Sequence, residues 1–397
     1  MPLSYGNLLV VAVIAVAAPL LVGLFPRIRV PAVVLEIVAG IAVGPSGFGW
    51  VEVDVPVQVL ALMGLAFLLF LAGLEIDVAR LRGSILRVAG AGFGLTLLLG
   101  VAVGLAFGAA GWVKSPLLIA IALSATSLGL VVPVLKDAGQ VEKPVGQLTI
   151  AGASVADFAA VVLLSLLFSE GEGTVGGKLV LLGLFTVLAV VTVVALARLE
   201  RIMRLDMVIV RLQDTTAEIR VRFAVLLLVA FVALAGKLGL ETILGAFLAG
   251  AILNMIDRDS VTHPNFRIKL DAIGYGFVIP VFFVASGLRF DLRALLDTPS
   301  AIARVPLFLL GLLIVRGVPA ALYARTIGRR QAAAAGLLQA TSLPFLVTAT
   351  EIGVALGKIT PVTGAALVSA GLLSVVIFPL AALTLLREDV TADAADA

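Results

Sequence analysis

The chain has 397 residues, of which 61% are hydrophobic and 13% charged, and its formal net charge is +3. A soluble domain has about 45–50% apolar and about 25% charged residues, so this composition excludes a soluble globular protein and gives no sign of a nucleic-acid partner. The chain has no cysteine and one histidine, His263, which excludes disulfides, thiolate chemistry and a His-ligated metal centre, and we expect no cofactor.

Thirteen apolar segments follow one another along the chain. Roughly 20 apolar residues in helical form cross a hydrocarbon core of ~30 Å, so we predict an all-α polytopic membrane protein with about 13 transmembrane helices. Most of the 28 Lys and Arg residues lie in one set of loops, which predicts an N-terminus outside and a C-terminus in the cytoplasm, with the chain in the inner (cell) membrane. The segments lie near residues 8–25, 31–47, 57–75, 85–110, 116–135, 145–169, 179–197, 222–236, 240–256, 272–288, 303–324, 331–356 and 361–386.

The fourth segment is rich in glycine at a spacing of four. Gly100, Gly104 and Gly108 form a tandem GxxxG pattern, and Gly90 and Gly94 precede them. Small residues at this spacing let helix backbones approach closely in a membrane. The pattern therefore predicts close helix packing and carries no chemistry.

The fifth segment, "SATSLGLVVPVL", has the composition of a broken helix. Pro133 follows Ser127 by six residues, and a proline inside a helix frees a backbone carbonyl. Unwound backbone at membrane depth is tolerated where it lines a cavity or is buried in protein, so Thr126 and Ser127 are candidate oxygen ligands for a cation. A simple proline kink is the alternative.

The sixth segment carries one charge, Asp157, at the midpoint of the run from Val145 to Phe168. An ionised carboxylate at a helix centre costs ~2.5–3.5 kcal/mol or more, and such residues usually mark an ion or proton path. Burial favours its protonated form and a bound cation favours its charged form, so one carboxylate can hold a proton or, transiently, a monovalent metal ion. Ser154 shares its helix face. The alternative is a structural acid paired with Arg316, which lies inside segment 303–324.

Two motifs recur at one spacing. Gly-Leu-x-x-Asp ends the third segment at Gly73 and recurs 214 residues later at Gly287, while Ala-Thr-Ser-Leu of the fifth segment recurs 215 residues later in "QATSLPFLVTAT". Seven helices separate the copies, so they cross in opposite directions, which predicts the inverted-topology repeat typical of secondary transporters. In the second copy Pro344 follows Ser342 by two residues, so Thr341 and Ser342 lie at a second predicted break.

Two further acids lie in apolar segments. Glu36, in the second segment, is equally compatible with helix packing, a dimer contact or a site residue. Glu351, toward the outer end of segment 331–356, belongs either to an access funnel or to plain surface.

Four stretches together resemble a known family: "VPAVVLEIVAGIAVGPSGFG", "LLFLAGLEID", "LGAFLAGAILN" and "IPVFFVASGLRFDL". In this order they are similar to the sodium/proton exchanger domain of the cation:proton antiporter superfamily, in the branch with Nap-type sodium antiporters and Kef-type potassium efflux proteins. The resemblance covers nearly the whole chain and implies a homodimer, interleaved dimerisation and core subdomains, two crossed unwound helices and elevator-type alternating access. It also implies that Asp157 is the essential acid and that Thr126 and Ser127 lie in the first unwound segment.

The chain departs from the family pattern at three places. Ala156 stands where members usually have an acid or Asn, residues 272–288 contain no Lys, and Gly152 stands where members with a mid-span Arg often have Glu. These departures favour an electroneutral cycle. We expect a single transmembrane domain over 1–397 with no soluble regulatory domain.

The residues and the resemblance together predict a monovalent cation/proton antiporter for Na⁺ or K⁺ and not an enzyme. A Kef-like gated cation pore and a symporter of organic anions on a related fold are the alternatives. The chain has no GxxxxGK[ST] loop, which argues against an ATP-driven pump.

Overall fold

A computed structural model of the chain describes residues 5–24, 31–75, 83–168, 176–177, 179–185, 187, 191–192, 218–256 and 264–393. Helices dominate this part of the chain, and it contains no strand, so the predicted all-α class is confirmed. His263 and nine of the nineteen residues of segment 179–197 lie outside the described residues.

Helices occupy the other twelve predicted segments. A π-helical turn (Gly274–Val278) joins α10 to α11, and a π-helical turn (Leu313–Gly317) with a 3₁₀ turn (Val318–Tyr323) joins α13 to α14. The helices are α1 (Gly6–Leu24), α2 (Ala32–Val43), α3 (Val55–Leu74), α4 (Gly83–Ala109), α5 (Pro116–Ser124), α6 (Leu128–Asp137), α7 (Pro144–Phe168), α8 (Ile219–Lys237), α9 (Thr242–Ile256), α10 (Pro264–Ile273), α11 (Ile279–Leu288), α12 (Leu292–Leu296), α13 (Pro299–Leu312), α14 (Ala324–Gln339), α15 (Pro344–Ala355) and α16 (Pro361–Asp393).

Nine helical stretches of the described chain are long and apolar enough to cross a membrane, and α2, α9 and α15 are shorter apolar helices. One of the nine, Pro299–Gln339, is 41 residues long and is interrupted at Gly328, whose φ of 80° and ψ of 161° are not helical. A side chain disfavours such a backbone, and glycine adopts it readily. The chain turns back here, because Gly336 packs on the backbone of Gly317.

Side-chain caps start several helices. Asp54 accepts a hydrogen bond from the N–H of Val57 (3.1 Å) at the start of α3, and Ser115 accepts one from Leu118 (3.4 Å) at the start of α5. Each cap satisfies a backbone donor that the first turn leaves free. Proline follows both caps within the first two helical positions, where its missing N–H costs nothing.

The described helices group into two compact units. The first contains residues 1–15, 54–77 and 161–285, and the second contains 16–53, 78–160 and 286–397. In the first unit α3 packs on α9 through Gly73 and Gly250, because a Cβ at either position would overlap the backbone of the facing helix. Small residues thus permit a close approach of the two helices.

In the second unit α4 packs on α5 through the predicted glycine stripe. A Cβ on Gly104 would overlap the carbonyl of Pro116, and one on Gly100 would lie 3.1 Å from the carbonyl oxygen of Ala120. The prediction was wrong for Gly90 and Gly94, where a Cβ would meet nothing within 4 Å.

Candidate functional site

The first predicted break is present, but its predicted cause was wrong. Residues 125–127 are not helical, whereas α6 continues through Pro133. Pro133 removes only its own hydrogen bond to the carbonyl of Gly129. The break comes six residues earlier, where N–H groups find acceptors outside the helix.

Those acceptors are a carboxylate and a distant carbonyl. The N–H of Thr126 donates to Oδ1 of Asp157 (3.1 Å), and the N–H of Ser127 donates to the carbonyl oxygen of Thr341 (2.9 Å). In an unbroken helix these N–H groups would bond to the carbonyls of Ala122 and Leu123. Those two carbonyls therefore lose their helical donors at the C-terminal end of α5, where the helix dipole favours a cation.

The second predicted break is present where Pro344 predicts it. Residues 341–343 are not helical, and Pro344 is the first residue of α15. Because proline has no N–H, the carbonyl of Ala340 has no helical donor. The hydroxyl of Ser342 is fully buried without a hydrogen-bond partner among the described residues, while its N–H donates to Oγ of Ser374 (3.2 Å).

Hydrogen bonds join the two breaks to each other. Besides the bond from Ser127 to Thr341, the hydroxyl of Thr126 donates to the carbonyl oxygen of Gln339 (2.7 Å). The hydroxyl of Thr341 bonds back to the carbonyl of Leu337 (3.2 Å) and so points along its own helix. The breaks therefore form one polar centre inside the second unit.

Asp157 lies on α7 and is partly exposed, while Ser154, one turn earlier, is buried. Its bond from Thr126 places the carboxylate just before the start of α6. A helix N-terminus is a favourable place for a carboxylate, because its backbone N–H groups and its dipole both point toward the oxygen atoms. The one-turn spacing puts the Ser154 hydroxyl on the same side of α7.

Arg316 lies in the π-helical turn after α13 and is 1% exposed. Its Nε donates to the hydroxyl of Thr126 (2.8 Å), Nη1 to the hydroxyl of Thr96 (3.2 Å) and Nη2 to the carbonyl of Gly152 (3.2 Å). All three nitrogens therefore donate to neutral oxygens. Arg316 is close enough to Asp157 for their charges to interact, and Thr126 is hydrogen-bonded to both.

Two more side chains, which no sequence pattern singled out, lie beside Gly152. The amide of Gln339 donates to the hydroxyl of Tyr323 (3.0 Å), and both residues are buried. A Cβ on Gly152 would overlap the Gln339 amide and lie 2.5 Å from the Tyr323 hydroxyl. The absence of a side chain at residue 152 thus makes room for this pair.

The two other candidate acids lie apart from these contacts. Glu351 accepts from the hydroxyl of Ser286 (3.0 Å) and forms an ion pair with Arg289 (3.5 Å). It is about 12 Å along α15 from the second break, at 1.5 Å per residue. Glu36 is buried on α2, and no described residue forms a hydrogen bond or ion pair with it.

A membrane bundle in which two broken helices bind each other beside a carboxylate has the architecture of a secondary ion transporter. The family described as sodium/hydrogen exchanger, transmembrane, matches residues 12–387, and the chain belongs to this family. Membership confirms the resemblance drawn from the four sequence stretches.

Individual relatives agree with the family. YjbQ of Bacillus subtilis, which carries a provisional Na⁺/H⁺ antiporter name, is 30% identical over 95% of this chain and 62% of its own length. A Na⁺/H⁺ antiporter of Enterococcus hirae is 31% identical over 67% of this chain and 68% of its own. The structure of the sodium proton antiporter MjNhaP1 of Methanocaldococcus jannaschii matches with a TM-score of 0.66 at 17% identity, over 96% of this chain and 98% of that one. The chain thus spans about 62% of the length of YjbQ and has the fold of MjNhaP1.

Proposed function

We propose that the chain exchanges a monovalent cation, Na⁺ or K⁺, for H⁺, and that Asp157 binds both ions in turn. The observation that carries the proposal is the bond from the N–H of Thr126 to Asp157 at the first break. It joins a carboxylate to the break at which two backbone carbonyls lack helical donors, and a hard cation requires such oxygens. The names of the relatives from Bacillus subtilis and Enterococcus hirae support Na⁺ as the first cation to test.

We infer the cation ligands at the first break from which oxygen atoms already form hydrogen bonds within the protein. The hydroxyl of Thr126 both donates to Gln339 and accepts from Arg316, so its backbone is better placed to serve a cation than its side chain. We assign the ligand sphere to Asp157, Ser154 and the backbone of residues 122–127, with Ser127 as a further hydroxyl.

The second break offers further oxygen atoms that could bind the cation. The hydroxyl of Ser342 has no hydrogen-bond partner among the described residues, and the carbonyl of Ala340 has no helical donor because residue 344 is proline. The hydroxyl of Thr341 is bonded to its own helix. We therefore assign Thr341 and Ser342 as secondary cation ligands, after those of the first break. Glu351 and Glu36 are assigned to the access route and to helix packing or the dimer contact, respectively.

The cycle is proposed to be electroneutral, with one proton released as one cation binds. Ala156 removes a second acid beside Asp157, and residues 272–288 have no Lys. Arg316 keeps its proton throughout, because a guanidinium is not deprotonated in proteins. Only Asp157 then changes its charge state, so no net charge crosses the membrane in a turnover.

We further propose elevator-type alternating access by a homodimer in the cell membrane, with the N-terminus outside and the C-terminus in the cytoplasm. Both breaks and Asp157 belong to the second compact unit, which supports assigning the moving core to that unit and the dimerisation role to the first. Bonds between the breaks support crossed broken helices that move together.

The test is cation-dependent dissipation of a pH gradient in proteoliposomes, with Na⁺, K⁺ and Li⁺ compared. Asp157→Asn keeps the shape of the side chain but neither releases a proton nor balances a cation, so transport should fall to background. Asp297→Asn, the same change at an exposed carboxylate after α12, is the matched control and should transport normally. Substantial transport by Asp157→Asn would exclude Asp157 as the shared carrier, and conduction without proton exchange would indicate a pore.

A further inference from the structure

Tyr323 and Gln339 form a buried polar pair that no step of the exchange cycle uses directly. Tyr323 is 2% exposed and Gln339 1% exposed, and the amide of Gln339 donates to the hydroxyl of Tyr323 at 3.0 Å. A buried hydrogen-bonded amide and phenol restrict each other's position more strongly than apolar side chains do. The pair therefore holds residue 339 in place at the end of α14.

Gln339 is also hydrogen-bonded to the first break. Its carbonyl accepts the hydroxyl of Thr126 (2.7 Å), and the N–H of Thr126 donates to Asp157 (3.1 Å). A displacement of Gln339 can thus reach the carboxylate through Thr126. Gly152 lies beside both members of the pair and offers its carbonyl to Arg316.

We propose that the Tyr323–Gln339 pair, seated in the space that Gly152 leaves open, is a positioning device that sets the affinity of Asp157 for its cation. The pair touches no substrate; it acts by holding Thr126 against the carboxylate. The inference rests on the proposed function of Asp157 and adds to it the residues that tune the site.

Gly152→Ala is the sharpest perturbation. The new Cβ overlaps the Gln339 amide and crowds the Tyr323 hydroxyl, so the pair must shift. The KM for Na⁺ should rise roughly tenfold, the size of a weakened hydrogen bond to a charged group, while kcat stays within about twofold. Gly94→Ala, the same change in α4 with nothing within 4 Å, is the matched control and should leave both constants unchanged.

A second variant makes the test independent of folding defects. Tyr323→Phe removes the acceptor of the Gln339 amide and should raise the KM for Na⁺ several-fold by itself. In Gly152→Ala/Tyr323→Phe the missing hydroxyl lets the amide move aside, so the KM should be lower than the product of the two single effects.

Three results would overturn the proposal: an unchanged KM in Gly152→Ala, an unchanged KM in Tyr323→Phe if the alanine variant does not accumulate, or purely multiplicative effects in the double variant. A different result would show that the proposed function itself is wrong. In that case Asp157→Asn itself still transports, whatever the residue 152 and 323 variants do.

Discussion

The hydroxyl of Thr126 joins Arg316 to the second break, and Thr126→Val removes it with almost no change of shape. The hydroxyl donates to the carbonyl of Gln339 (2.7 Å) and accepts from Nε of Arg316 (2.8 Å). A neutral hydrogen bond contributes about 1 kcal/mol, and one to a charged group about 1.5–3 kcal/mol. Because Arg316 is buried, its Nε would be left without an acceptor, so we expect a loss of stability of about 2.5–4 kcal/mol.

The assay has two arms on purified protein. Heating followed by fluorescence-detected size exclusion measures the thermal midpoint, and Na⁺-dependent ΔpH dissipation in proteoliposomes measures the KM for Na⁺. Thr126→Val should lower the midpoint and raise the KM. Thr126→Ser keeps the hydroxyl and therefore both hydrogen bonds, so it should stay close to wild type in both arms.

The two arms separate two explanations. A cation ligand at the hydroxyl would raise the KM at constant stability, whereas the bonded network predicts that both quantities change together. Thr126→Val with a wild-type midpoint would refute the network as a source of stability, even if transport suffers.

Three further predictions follow from the same geometry. If H⁺ and Na⁺ compete for Asp157, the apparent KM for Na⁺ should rise about tenfold per unit fall in pH on the acidic side, because a ligand must be deprotonated to bind a metal; a KM independent of pH from pH 8 to pH 5 would exclude competition. Transport at fixed ΔpH should not respond to an imposed valinomycin potential, since each uncompensated charge would couple by ~2.3 kcal/mol per 100 mV; a current on solid-supported membranes whose sign follows the cation gradient would contradict electroneutrality. Gly250→Ala should lower the thermal midpoint by the equivalent of about 1–3 kcal/mol, because its Cβ overlaps the backbone of α3; Gly94→Ala should not, and equal midpoints would show that α3 and α9 can separate without loss.

Much of the fold could be predicted because the lipid bilayer restricts which backbone structures can cross it. A bilayer demands long apolar helices, so composition and segment length located twelve helical regions before any contact was known. The second break was also predictable, since Pro344 stands where the helix restarts. The first break was located by its repeated Ala-Thr-Ser-Leu motif but attributed to Pro133, and the structure shows acceptors outside the helix instead.

The hydrogen-bond partners of Arg316 could not be predicted. Thr96 is a single hydroxyl in an apolar helix, where a threonine ordinarily bonds back to its own backbone. Its partner lies 220 positions away in the chain, and no local pattern encodes such a pairing. Tyr323 and Gln339 were missed for the same reason, whereas Gly152 was noticed only as a departure from a family pattern.

The bonds between the two breaks have a consequence for biogenesis. Thr126 and its acceptor Gln339 are 213 positions apart, so the early part of the chain leaves the ribosome long before its partner exists. Until residues 339–341 are inserted, the N–H of Ser127 and the hydroxyl of Thr126 lack these acceptors, and an unsatisfied backbone group in lipid costs several kcal/mol. A nascent chain stalled before residue 339 should therefore keep α5 and α6 as one continuous helix or remain near the insertion machinery. The break would then form late in assembly, and truncated chains should be preferred substrates of membrane quality-control proteases.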